Sequence, residues 1–175
     1  FCILIHYHEI SLKGKNRSWF ERRLIRNIKR QLTGLPLLKI HLTAARIFCF
    51  GIDEFKWNEY AKRLKKVMGI KHATLTDQLE SDIELIQKSA SDQLQGVEFD
   101  TFRVSTKRQY KEFPLSSQVV NEEVGKHIQS LYLKPVDLKN AELDMVIELV
   151  NGMAYVGYKR IHGYGGLPVG TSEHA

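Results

Sequence analysis

The chain has 175 residues, 43% hydrophobic and 26% charged, with a formal net charge of +6. That supplies apolar material for one ordinary core or two small ones, and no apolar run approaches the roughly 18 residues of a helical membrane span, which excludes that class. Cys2 and Cys49 have no metal-ligand spacing, so they read as buried thiols in a reducing compartment and the expected location is cytoplasmic.

The charge is unevenly spread. Residues 1–75 hold 16 Lys/Arg against 5 Asp/Glu, and residues 76–175 hold 10 against 15. Such asymmetry points to a basic surface facing a polyanion, with nucleic acid as the leading partner and an anionic membrane surface as the alternative.

Residues 1–7 form an apolar strand without the basic leader or small-residue cleavage site of a signal peptide. The spacing predicts a helix over 16–32, short strands over 39–43 and 46–50 joined by Ala44-Ala45, a helix over 57–68 stopped by Gly69, and a strand over 70–76. This βαββαβ order is that of a ferredoxin-like domain, a sheet with two helices on one face. On the first helix Phe20, Leu24, Ile25, Ile28 and Leu32 share one arc, while Arg22, Arg23, Arg26, Lys29 and Arg30 share the opposite one. A solvated face usually mixes signs to form i, i+4 pairs, and an arc of positives alone costs like-charge repulsion. That cost favours RNA or DNA contact here.

The second part opens with a helix capped by Ser81-Asp82-Ile83-Glu84 and running to Gly96. A strand over 99–108 follows, then a helix over 116–131 with Val120, Val124, Ile128 and Leu131 inward, and a short strand or extended loop over 136–138. Strands over 144–150 and 153–161 are joined by Asn151-Gly152, a strong hairpin signal. The whole reads as α/β (α+β), two domains without an evident linker.

Phe102–Lys111 carries four basic residues and no acid, breaks at Pro114, and restarts as a helix at Ser116 or Ser117. A basic strand end with Tyr110 and Phe113 interleaved, beside a helix N-terminus, suits phosphates and an unpaired base. A solvated surface loop is the alternative. Gly163–Gly170 lacks the Gly-Lys-Ser/Thr ending of a phosphate loop and reads as a linker. His6 and His8 lack a third ligand, so no metal is expected, and no spacing supports a catalytic constellation.

Residues 7–17 (YHEISLKGKNR), Phe102-Arg-Val with Lys107-Arg108 and Phe113-Pro114, residues 136–140 (VDLKN) and residues 163–172 (GYGGLPVGTS) together resemble the N-terminal half of the tRNA 4-thiouridine synthetases, also called tRNA sulfurtransferases or thiamine-biosynthesis sulfur transferases. The resemblance covers essentially the whole chain, although His8 stands where the family usually has Gly. It implies a ferredoxin-like domain over 1–76, a THUMP domain over 77–165, and over 166–175 the start of a linker to an ATP-pyrophosphatase domain whose Ser-Gly-Gly-x-Asp-Ser loop is absent, so that the chain reads as a fragment or a separately encoded half.

By that resemblance the parent enzyme adenylates a tRNA uridine and takes sulfur from a donor protein. ATP and magnesium would serve only the absent catalytic domain, and these two domains, with no catalytic residue, metal or cofactor of their own, would position tRNA. The 3′-CCA end would meet Lys107, Arg108, Lys111, Phe113, Ser116 and Asn121. The acceptor stem would meet Lys13, Lys15, Asn16 and Arg17, and the basic helix face with Arg22, Arg26 and Lys29. Dimerisation stays open. So do the RNA-binding half of another THUMP-containing enzyme, such as a methyltransferase, and a non-nucleic-acid interaction module.

Overall fold

The computed structural model describes residues 1–8 and 16–164. Two compact units divide it: Phe1–Leu75 together with the residues from Lys159 on, and Thr76–Tyr158. The expected boundaries were 76/77 and 165, so the end of the last strand counts with the first unit.

The first unit holds β1 (Cys2–Tyr7), α1 (Asn16–Gln31), β2 (Lys39–Thr43), β3 (Arg46–Phe50), a single 3-10 turn at Glu54–Lys56, α2 (Trp57–Leu64) and the first part of β4 (Ile70–Glu80). Its strands run in the order β2-β3-β1-β4. β3 lies antiparallel to both neighbours, with Leu4 opposite Phe48 and Thr43 opposite Arg46. The β2–β3 turn places Ala44 and Ala45 at φ 52° and 58°, the mirror-image geometry that suits strand twist but that alanine adopts only under steric cost. Ile3 and Ile5 of β1, Leu24 and Ile28 of α1, and Tyr60 and Leu64 of α2 meet in one core, so both helices cover the same sheet face.

α2 ends four residues earlier than its spacing predicts. After Leu64 the amides of Lys66 and Val67 turn back three residues to the carbonyls of Arg63 and Leu64, and Gly69 follows at φ 100°. Met68 thereby leaves the apolar stripe and is 38% exposed.

The second unit holds the rest of β4, α3 (Ile83–Gln93), β5 (Phe102–Arg108), α4 (Ser117–Tyr132), β6 (Leu143–Val150) and β7 (Met153–His162) as far as Tyr158. Strand order is β4-β7-β6-β5, with β5 parallel to β6 and β6 antiparallel to β7 across the Asn151-Gly152 turn. Ile86 and Ala90 of α3, Val120, Val124 and Ile128 of α4, and alternate residues of β5 and β6 form its core.

Three expectations are corrected here. Asp82, not Ser81, caps α3: its carboxylate accepts from the amides of Glu84 and Leu85, while Ser81 Oγ donates to the Gly152 carbonyl at 2.9 Å. β5 begins at Phe102 rather than Phe99, because the Asp100 amide is taken by the Glu142 carboxylate and Thr101 Oγ1 accepts from the Glu142 amide. Leu131 is 58% exposed, since Tyr132 takes the inward position and its hydroxyl donates to the Ser91 carbonyl at 2.5 Å.

Candidate nucleic-acid interface

Both units present basic side chains at the surface among the described residues. On the first, Arg22, Arg26, Lys29 and Arg30 stand exposed along α1, opposite the buried Leu24 and Ile28, and none forms an ion pair among the described residues. Lys29 and Arg30 occupy the last helical turn, where the helix dipole favours positive charge. Arg23 is half-buried rather than outward, and Asn27 is buried. Of the residues expected to lead into this face, Asn16 and Arg17 are exposed at the start of α1, and Lys13 and Lys15 lie outside the described residues.

Arg17 does not hang loose. Its Nε reaches Glu21 Oε2 at 3.3 Å, and the same carboxylate oxygen accepts the Tyr7 hydroxyl from β1. Burial, then the hydrogen bond to that carboxylate, pushes the Tyr7 phenol well above its ordinary range. Those contacts to Tyr7 and Glu21 also raise Arg17. Glu21 is buried on the inner side of the helix, so it orients Arg17 without neutralising the outer face. Sequence reading did not single this clamp out, though the Arg17–Glu21 spacing of four residues carried its signal.

On the second unit, Lys107 and Arg108 end β5 and Lys111 stands exposed in the loop beyond. Arg108 serves that loop: Nη2 donates to the carbonyls of Lys111 at 3.0 Å and Phe113 at 2.8 Å. Phe113 is 6% exposed and belongs to the core with Val104, Val120 and Val124. Phe113, expected to meet the 3′-CCA end, is corrected to a core ring beside Pro114. Ser116 caps α4, its Oγ accepting from the Val119 amide at 3.1 Å.

Asn121, one turn further along, lines a groove of about 350 Å³ with Val104, Gly125, Val136 and Leu138. Its Oδ1 is buried without a hydrogen-bond partner, as are Thr106 Oγ1, Arg108 Nε and the Tyr110 hydroxyl. The opposite wall is held by Asp137, whose carboxylate accepts from the amides of Lys139 and Asn140 at 3.0 Å. The Asn140 and Lys139 amides hold that carboxyl below its ordinary range. Among the described residues no cluster of His, Cys, Asp or Glu has metal-holding geometry.

Two family models match in tandem: the ThiI ferredoxin-like domain over residues 2–74 and the THUMP domain over residues 80–159. A probable tRNA sulfurtransferase of Thermoanaerobacter pseudethanolicus is 40% identical over 99% of this chain and 45% of its own length. The chain joins a ThiI ferredoxin-like domain to a THUMP domain. It spans a little under half the length of that curated relative. Among solved structures, PH1313 from Pyrococcus horikoshii superposes with a TM-score of 0.84 at 32% identity, covering 97% of this chain and 58% of that one. A 4-thiouridine synthetase in complex with RNA and ATP superposes at 0.79 with 31% identity, covering 97% of this chain and 43% of that one. The ThiI ferredoxin-like domain thus carries the α1 face, and the THUMP domain carries the Asn121 groove. No helix among the described residues is long and apolar enough to cross a membrane.

Proposed function

We propose that this chain binds and positions tRNA for ATP-dependent thiolation of a uridine by the catalytic part of a tRNA sulfurtransferase. The outward face of α1 carries the reading: Arg22, Arg26, Lys29 and Arg30 stand exposed with no acidic partner among the described residues. A folded protein tolerates such like-charge crowding at a cost that phosphates remove. The duplex phosphates of the acceptor stem are its target, reached also by Arg17.

Lys107, Lys111, the opening turn of α4 at Ser116 and Asn121 would receive the unpaired 3′-CCA end. Asn121 supports this by lining the groove, because an amide side chain recognises an exposed base edge by hydrogen bonds. Arg108 contributes by shaping the loop. ATP, magnesium and a sulfur-donor protein would act on the catalytic part, and the two domains described here would be expected to take up no ATP in a calorimetric titration.

The test compares a tRNA transcript with the same transcript lacking CCA. Lys107→Ala with Lys111→Ala should weaken the intact transcript several-fold, on the order of one phosphate contact per lysine, and barely change the trimmed one. Equal wild-type affinity for both transcripts would refute end recognition.

A further inference from the structure

We infer that a second basic groove, between the end of α2 and the end of β7, continues the α1 face as a track for RNA phosphates. This rests on the proposed tRNA binding and enlarges its footprint to a surface that sequence reading left aside. The groove has a volume of about 510 Å³ and is lined by Trp57, Ala61, Lys62, Lys65, Lys66 and Tyr164 among others, with no acid in its wall. Lys66 also lines a smaller groove of about 120 Å³ with Arg30 of α1. Arg30 and Lys66 therefore join the two basic surfaces within one unit.

The neighbouring cations show why these three lysines differ. Arg63, on the same helix, is fully engaged: its Nε meets Glu59 Oε1 at 3.1 Å and its Nη1 donates to the carbonyls of Gln31 and Thr33. Lys62, Lys65 and Lys66 are exposed and have no ion pair among the described residues. Lys62 stands on α2 and Lys65 and Lys66 in the turns just after it, and all three line the same groove, so like charges gather there. Trp57, Ala61 and Ile161 give the groove an apolar wall. A cleft lined by one sign of charge with low-dielectric walls concentrates its field and attracts counter-charge more strongly than a flat surface.

Backbone geometry fixes the far wall. The Gly163 amide donates to the Lys71 carbonyl at 3.0 Å, and a Cβ at Gly163 would lie 2.2 Å from the Ile70 carbonyl oxygen. Only glycine permits that approach. It pins the chain next to Tyr164, an 83% exposed residue in the groove wall.

The experiment measures binding of the full chain to a tRNA transcript across a salt series. Lys62→Glu, Lys65→Glu and Lys66→Glu together should lower affinity roughly tenfold or more and reduce the slope of log K against log salt by about 2, as expected for three lost phosphate contacts. Glutamate at Lys39 on β2 and Lys88 on α3, neither of which lines a proposed surface, controls for charge reversal and should cost clearly less per residue. Should the glutamate variant misfold by circular dichroism, the glutamine triple variant serves, with the same direction expected. If the groove variant binds as wild type while Arg22→Glu, Arg26→Glu and Lys29→Glu weaken binding, the second track is refuted and tRNA binding stands; an acidic protein partner for the groove would give this same result. If wild type itself fails to bind tRNA at low salt, the proposed function falls with it.

Discussion

Arg108 Nη2 lies 2.8 Å from the Phe113 carbonyl and 3.0 Å from that of Lys111, so one guanidinium closes the loop between β5 and α4. Hydrogen bonds from a charged donor contribute about 1.5–3 kcal/mol when buried, and less for a half-exposed group such as this. Arg108→Ala should therefore destabilise the second unit by about 1 kcal/mol, read from the denaturation midpoint. Arg108→Lys should not restore it, because an ammonium lacks the planar fork. A midpoint equal to wild type in Arg108→Ala would mean the loop does not depend on the clamp.

Phe113 gives a sharper separation of roles. As a core ring, truncation to alanine should cost about 3–5 kcal/mol, whereas Phe113→Leu should cost far less and leave RNA affinity at the wild-type value. A folded Phe113→Leu protein with clearly weakened RNA binding would return the ring to the interface.

Tyr7 and Glu21 offer a test in the first unit. Tyr7→Phe removes the hydroxyl that satisfies a buried carboxylate and should lower stability by about 1–3 kcal/mol. Arg17 should lose part of its alignment, so tRNA affinity should fall slightly as well. Unchanged thermal stability would show that Glu21 is satisfied without Tyr7.

How legible was this molecule? In the first unit apolar spacing located both helices and all four strands, because each packs one clear stripe against a single core. The ends were harder. α2 stops at Leu64 through three-residue backbone turns that no side-chain pattern announces, and that stop released Met68. Ser81 resembled a cap by composition, yet the carboxylate one residue on reaches two amides where a hydroxyl serves one. In the candidate interface the basic arc of α1 was readable from 100° spacing. The fate of Phe113 was not, because an aromatic between a basic loop and a proline fits either a surface platform or a core plug, and only packing decides. The lysines at 62, 65 and 66 were not singled out in the sequence, because their meaning depends on Arg63 being engaged and on Lys66 lining a groove with Arg30.

Cys49 makes a prediction about pH. Burial, followed by the nearness of Cys2, pushes its thiol from 9.0 up to about 12. The unfolded chain therefore releases this proton at lower pH than the folded one. Stability is full below pH 9.0, declines as pH rises from there toward about 12, and should show no acid limb from this group. Thermal melts from pH 8 to 11 should fall by less in Cys49→Ala than in wild type. An equal alkaline fall in both proteins would exclude Cys49 as a contributor.

The most direct measurement of RNA binding by this chain is the salt dependence of its affinity for a tRNA transcript, wild type against Arg22→Glu, Arg26→Glu and Lys29→Glu. If α1 grips duplex phosphates, log K should fall steeply with log salt in wild type, each neutralised phosphate contributing about 0.7–0.9 to the slope. The triple variant, still folded because these side chains stand opposite the core, should bind more weakly with a slope shallower by about 2. A flat salt dependence in wild type, or equal affinity and slope in the two proteins, would contradict binding through this face.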